Sequence, residues 1–349
     1  MPDQHSSKIV TQEDVAQRAG VSRSIVSYVI NNGPRKVSAE TRERVLAAIK
    51  ELGYRPNKHA QLLSSIDDTL AEKYIGIILA GNYMFRRPYY GSILASFHEH
   101  VHERGWHIRF IRVFDDFNNP ALFNELIHPN EISGVILVGL DQVLDTPDDR
   151  ALVGEIVRRV ERVVCVEWEW PGVPSVQFDR QNAAYQATHH LLSACQRRRI
   201  AYIGPADRRV SGYRQAFWEQ GLSADDRFIY YAIDPRSGYE CCDQIMRSDL
   251  AVDAICSGTD EVALGVLKCL HQHGRHIPCD VAVASIDNLD MAAFMTPALT
   301  TVDVPKNEIG FHVIETLVSD KPYKGPASAF AVVVRTQLIV RESSVWPVE

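Results

Sequence analysis

Residues 10–53 read VTQEDVAQRAGVSRSIVSYVINNGPRKVSAETRERVLAAIKELG, and three short helical patterns follow one another there with almost no connecting residues. Thr11 stands where an N-cap belongs, acidic Asp14 follows three positions on, Val15, Ala16 and Ala19 share one face, and Gly20 ends the pattern. Ser22 is placed to cap a second helix in which Val26, Val29 and Ile30 recur at three and four, with Arg23, Ser24, Ser27 and Tyr28 on the opposite side. Asn31, Asn32, Gly33 and Pro34 stop it. Ser38 opens a third helix carrying Val45, Ile49 and Leu52, and Gly53 closes it. Three such helices share one small core.

A helix, a glycine turn and a second helix with polar residues outward is an arrangement that a DNA major groove accepts, because its width admits one helix. Arg23, near the helix start, can present a fork to guanine, while Ser24, Ser27 and Tyr28 can reach base edges or a thymine methyl. Thr11, Ser22 and the helix N-terminal amides suit phosphates. On composition alone, a small bundle with a solvated polar face accounts for the same residues equally well.

Outward from this head, Asn57 to Ser65 is too short to hold a helix alone, since isolated helices under about 12 residues are marginal in water. It is expected to order only against DNA or a partner chain. From Tyr74 onward, strand-length apolar runs alternate with amphipathic stretches, the pattern of a parallel sheet wound with helices. Strands are expected near Ile75–Leu79, Val135–Val138, Val163–Val166, Ala201–Ile203, Ala254–Cys256 and Val281–Ala284. Roughly a dozen alternating elements exceed one compact sheet and imply two Rossmann-like lobes.

The 349 residues are 46% apolar, 23% charged and 9% aromatic, an ordinary globular composition with room for buried cores. The net charge of −7 conceals an asymmetry: residues 1–65 carry +4 and the remainder −11, a basic head on an acidic body, as expected of a chain that meets phosphate at one end. Seven scattered cysteines do not make a disulfide framework and imply free thiols. No run is long enough to span a membrane, and Met1 to Ser7 is polar rather than signal-like, so a cytoplasmic protein with no membrane partner is expected.

The run from Val10 through GYRPNKHAQLL to Leu63 resembles, almost position for position, the head and hinge of the lactose/galactose-repressor (LacI/GalR-type) transcription regulators. The likeness continues more loosely to RESS at residues 341–344. It implies an α/β protein: an N-terminal three-helix helix-turn-helix head plus hinge helix, then a two-lobed Rossmann-like effector domain of the periplasmic-binding-protein type (type I). The implied limits are 1–55 for the head, 56–66 for the hinge and 67–349 for the effector and dimerisation domain. Within the last, one lobe takes about 74–175 and 303–330, the other about 176–302 and 331–343. Asn31 and Asn57 join the DNA-contacting set, and Leu63 matches the leucine that wedges into the minor groove, where an apolar side chain unstacks a base step and bends the duplex. Leu62 is the competing wedge, and packing against the body is the other reading of Leu63.

In wound sheets, ligands sit beyond the carboxyl ends of the strands. There, Arg87-Pro88-Tyr89-Tyr90 resembles the family's Asn-Pro-aromatic-aromatic signature, and Arg209 matches its effector-binding arginine. SGTDEVALG, from Ser257, is similar to its Ala-Asn-Asp segment, with Thr259 in place of asparagine; SIDNLD, from Ser285, is similar to Gly-Phe-Asp-Asp and offers Asp287. With Glu167 and Trp168, the effector set is Tyr89, Tyr90, Glu167, Trp168, Arg209, Thr259 and Asp287. Flat apolar faces with directional polar groups suit a hydroxylated ring such as a sugar, while a nucleobase or an acid fits the same residue types. Core packing of the aromatics and a mutual Arg209–Asp287 salt bridge are the structural alternatives.

Cys269, His271, His273, His276 and Cys279 offer soft ligands, and His98 and His102 share a helix face, but neither set has paired metal-site spacing, so no metal and no cofactor are expected. No nucleophile elbow, Walker loop or HExxH run is present, and no catalytic residue is assigned. The implied function is therefore a non-enzymatic, ligand-responsive regulator, a repressor of a metabolic, carbohydrate-linked operon. It would act as a homodimer on palindromic operator DNA with a small-molecule effector in the interlobe cleft. Only Ser343–Glu349 follow the last strand, without leucine heptads, so a dimer is expected rather than a coiled-coil tetramer. A cytosolic sugar-binding protein, or an enzyme with an appended helical domain, is the alternative.

Overall fold

The computed structural model describes residues 10–30, 37–54, 74–319 and 329–345. The head comprises α1 (Gln12–Ala19), α2 (Arg23–Ile30) and α3 (Ala39–Leu52). Thr11 and Asp14 form a reciprocal capping box on α1, and Gly20 and Gly53 end α1 and α3 in the left-handed conformation at φ 66° and 61°. Val15, Ala16, Ala19, Val26, Val29, Val45, Ala48 and Ile49 form the shared core, with Tyr54 beneath them.

The body alternates strictly at first: β1 (Tyr74–Leu79), α4 (Pro88–Glu103), β2 (His107–Val113), α5 (Pro120–Leu126), β3 (Gly134–Val138), α6 (Pro147–Arg159), β4 (Arg162–Val166) and β5 (Ser175–Phe178). It continues with α7 (Arg180–Ser193), β6 (Ile200–Gly204), α8 (Arg208–Glu219), β7 (Ile229–Tyr231), α9 (Pro235–Arg247), β8 (Ala254–Ser257), α10 (Asp260–Gln272) and β9 (Ala282–Asp287). The last elements are β10 (Thr300–Asp303), α11 (Lys306–Val318), β11 (Ala331–Val334) and β12 (Gln337–Ile339).

The chain forms two compact units, Met1–Val176 with Gly310–Val332, and Gln177–Ile309 with Val333–Glu349. Unit 1 holds a six-stranded sheet in the order β11-β5-β4-β3-β1-β2, and unit 2 one in the order β12-β10-β9-β8-β6-β7. β12 runs antiparallel to β10, whereas the β1, β3, β4 and β6, β8, β9, β10 neighbours pair in parallel. All five residues of β3 and β6 and all six of β9 are buried, as befits parallel strands covered on both faces.

In unit 1 the head packs on α5: Ala121 enters the head core, and the Asn124 side-chain amide donates to the Tyr54 carbonyl at 3.4 Å. In unit 2, two glycines let helices meet backbone to backbone. A Cβ on Gly212 would lie 1.9 Å from the Gln181 carbonyl oxygen, and one on Gly265 1.9 Å from that of Pro235. RESS closes the second sheet: the Ser343 hydroxyl donates to the Val283 carbonyl at 2.7 Å, and Ser344 Oγ pairs with His190 Nε2 at 2.8 Å. Among the described residues no helix is long and apolar enough to cross a membrane. All seven cysteines are free thiols.

Candidate functional site

Helix α2 buries Val26 and Val29, exposes Arg23 and Ser24, and leaves Ser27 and Tyr28 half-buried beside them. Arg23 is held by one long contact, Nε to Gln12 Oε1 at 3.4 Å, which leaves most of its planar fork to solvent. Two phosphate candidates already use their hydroxyls: Thr11 donates to Asp14 at 2.6 Å within the capping box, and Ser22 Oγ pairs with Ser24 Oγ at 2.9 Å. The Thr11 backbone amide is engaged as well, donating to Asp14 Oδ2 at 2.8 Å. Asn31, Asn57, Leu63 and the competing Leu62 lie outside the described residues.

In unit 1 the strand ends carry a linked aromatic and acidic group. Pro88 occupies the first turn of α4 behind Arg87, whose guanidinium lies over the Tyr83 ring at 5.4 Å. Tyr89 donates its hydroxyl to Glu167 at 2.8 Å, and Tyr90 meets Tyr89 edge-on at 5.3 Å. Trp168 is 4% exposed, and its indole N–H donates to the Leu137 carbonyl at 2.8 Å, so its polar handle belongs to the sheet. What Trp168 can offer a ligand is ring surface alone.

In unit 2 the ends of β6, β8 and β9 supply the remaining candidates. Arg209, on the first turn of α8, is 7% exposed, stands 5.7 Å from the Phe178 ring, and places Nη1 2.5 Å from Asp207 Oδ2. Burial works against its charge, but Asp207 prevails and its pKa is raised. Asp207, two residues away, makes this ion pair, and Asp287 adds a smaller favourable charge to Arg209. Arg209 Nε is buried and, among the described residues, has no hydrogen-bond partner. Such an orphaned donor is rare in a folded protein. Thr259 is the N-cap of α10, its hydroxyl accepting from the Val262 amide at 3.2 Å, a service that asparagine performs as well.

Asp287 ends β9 at φ 119°, and Asn288 follows at φ 51°. Glu167 also has positive φ, at 69°. Among the described residues, three of the four non-glycine residues with positive φ thus sit at strand ends where ligand residues were expected, and such strain persists only where neighbours impose it. Lys306 Nζ donates to the Asp287 carbonyl, and Arg341 Nη2 and Asp303 hold the Asn288 side chain at 2.8 Å each.

Sequence reasoning passed over two residues beside these. Asp260 is fully buried, accepting from the Thr301 hydroxyl and the Leu289 amide at 2.7 Å each, and its pKa is pushed up to about 6 by burial. Ser257 Oγ is buried and has no partner among the described residues. Both stand in the SGTD run that singled out Thr259, and its aspartate was the available signal.

Residues 11–57 match the family described as bacterial regulatory proteins, lacI family, and residues 188–344 match a periplasmic binding protein-like domain. The chain is 29% identical over 325 residues to the ribose operon repressor of Escherichia coli strain K12, spanning 89% of this chain and 92% of that one. A cellobiose complex of the regulator CelR superposes with a TM-score of 0.64 at 28% identity, covering 96% of this chain and 99% of that one. The lac repressor dimer bound to operator shares the fold, with a TM-score of 0.67 at 22% identity over 97% of this chain and 100% of that one. The HTH-type transcriptional regulator CelR of Thermobifida fusca is 32% identical over 344 residues, 95% of this chain and 98% of that protein. With a three-helix head, a two-sheet body and this likeness along nearly its whole length, the chain belongs to the lacI family of bacterial regulatory proteins and is a ligand-responsive transcriptional regulator.

Proposed function

We propose that the protein is a repressor that binds a near-palindromic operator as a homodimer and releases or tightens on it when a neutral, hydroxylated ring ligand binds its body. The observation that carries the ligand class is the state of Arg209. Arg209 and Arg180 share Asp207, at 2.5 and 3.8 Å, and Asp287 adds a second negative charge acting on Arg209, so two arginines meet two carboxylates and little net attraction is left for a carboxylate or phosphate, while the orphaned Nε supplies one directional donor of the kind a sugar hydroxyl accepts. Tyr89, Tyr90 and Trp168 supply ring faces in unit 1, and Glu167, Thr259 and Asp287 complete the proposed contact set. The similarity to CelR, solved with cellobiose, and to the ribose operon repressor supports the same class.

On the DNA side, Arg23, Ser24, Ser27 and Tyr28 are the proposed base readers and Thr11 and Ser22 the phosphate contacts. Asn31 joins this proposed head set, and Asn57 and Leu63 extend the proposed contact along the hinge. The working limits are 1–55 for the head, 56–66 for the hinge and 67–349 for the effector and dimerisation domain, and no catalytic turnover is assigned. The test is selection of duplexes from a random pool by the purified full-length protein. Binding of the selected duplex is then titrated at fixed salt against neutral mono- and disaccharides, carboxylates and nucleobases. The expected result is a change of about 5- to 150-fold with a neutral saccharide. Absence of duplex preference under every condition overturns the DNA assignment; a response confined to acids or nucleobases overturns the ligand class.

A further inference from the structure

Helices α9 and α10 bring together three side chains that the regulatory reading does not use. Asp243 lies on α9; Cys269 and His273 lie one turn apart at the end of α10, so they share a face. One donor atom from each lies within 4.8 Å of the other two, and Asp243 Oδ1 is 2.8 Å from His273 Nε2. Cys269 is fully buried, whereas the Asp243 and His273 side chains are 21% and 29% exposed, which leaves a path from solvent. We propose that Asp243, Cys269 and His273 form a three-ligand site for a soft divalent cation of the zinc class, with the fourth position taken by solvent.

The ligand set is chemically suited: thiolate, imidazole and carboxylate are the three donor types zinc accepts, and three protein ligands with one open position is an established pattern. Tetrahedral zinc with ordinary bond lengths places neighbouring donors about 3.3–3.6 Å apart. The present separations, 2.8 Å for Asp243–His273 and none above 4.8 Å, lie close enough to that value for rotamer-scale adjustment to suffice. The metal would take the place of the Asp243–His273 hydrogen bond at Oδ1, while Oδ2 stays with Arg247, whose Nε is 2.9 Å away. That outer contact orients the carboxylate, as partners of metal ligands commonly do.

The spacing argument from sequence missed the site because Asp243 comes from another helix, 26 residues before Cys269.

The test uses the full-length protein, stripped with a chelator and titrated with zinc against a chromophoric indicator, and in parallel with cobalt. One zinc per chain is expected, with a thiolate-to-cobalt charge-transfer band. His273→Gln, at a partly exposed position, should weaken zinc at least tenfold while preserving the circular dichroism spectrum. Cys269→Ser should abolish the cobalt band, and Cys279→Ser, at an exposed cysteine off the site, should change neither readout. Less than one zinc per chain, or unchanged affinity in folded His273→Gln, overturns the proposal and leaves Asp243–His273 a helix-pinning ion pair.

Discussion

Thr301 donates its hydroxyl to Asp260 across 2.7 Å, and both side chains are wholly withdrawn from solvent. The bond joins the start of α10 to β10, while the other Asp260 oxygen receives the Leu289 amide just past β9. A single carboxyl thereby fixes the turn that carries Asp287 and Asn288.

Burial raises the Asp260 pKa from 3.8 to about 6 despite these donors, so the sign of its linkage is the reverse of a salt-bridged aspartate. Between roughly pH 4 and 6 the native protein holds a proton that the unfolded chain has released, and this contribution to stability is lost as pH rises through that window. Asp260→Asn should remove the slope. Melting temperatures of the two proteins across the window check this; parallel curves would mean that the carboxyl titrates normally.

Arg209→Ala should eliminate the ligand response while leaving operator affinity without ligand within about twofold, since Arg209 lies in unit 2 and α2, the proposed reading helix, in unit 1. Arg209→Lys restores a charge without the planar fork and should not rescue the response. Operator titrations with and without a saccharide hit distinguish these outcomes. A retained response in Arg209→Ala removes this residue from the contact set.

Arg23→Ala should weaken selective binding by about 1–3 kcal/mol and relax base preference at one position of each half-site. Lys50→Ala, on an exposed position of α3, serves as the comparison for a general loss of positive charge. Binding measured over single-base operator variants settles the matter: a uniform drop at every variant makes Arg23 a phosphate contact.

Two glycine-to-alanine changes should have opposite signs. Gly265→Ala places a methyl 1.9 Å from the Pro235 carbonyl oxygen and 2.7 Å from the Tyr239 amide, so α9 and α10 must part, at a cost of about 1–3 kcal/mol or more. Gly154→Ala, within α6 and with nothing within 4 Å of the new methyl, should stabilise by about 0.5–1 kcal/mol. Urea unfolding of each variant checks both. Equal effects would show that the α9–α10 crossing yields freely.

The head and the central strands were legible because their signals are local. Thr11 to Asp14, Gly20 and Gly53 are spacing rules that the backbone obeys, and β1, β3, β4, β6, β8 and β9 are apolar runs buried on both faces. The remaining strands carried weaker signals. β2, β7, β11 and β12 lie at or near the sheet margins with mixed exposure, and β10 is built from Thr300 and Thr301, polar in sequence yet fully buried because their hydroxyls find partners in Asp260, Arg341 and Ser344. Ser22 stands just before α2 as read, its carbonyl accepting the Ile25 and Val26 amides, while its hydroxyl pairs with that of Ser24, a partner that spacing does not decide. Among the ligand candidates, position at a strand end was readable, but partners were not: Asp207 beside Arg209 and Leu137 beneath Trp168 follow from tertiary placement.

The chain passes between its two units within β5, within α11 and within β11. During synthesis, then, the first sheet waits for β11 and the second for β12, so neither can finish until nearly the whole polypeptide has left the ribosome. A premature stop anywhere before residue 331 would leave both sheets short of a strand, and the nascent product would depend on chaperones rather than yield one intact half.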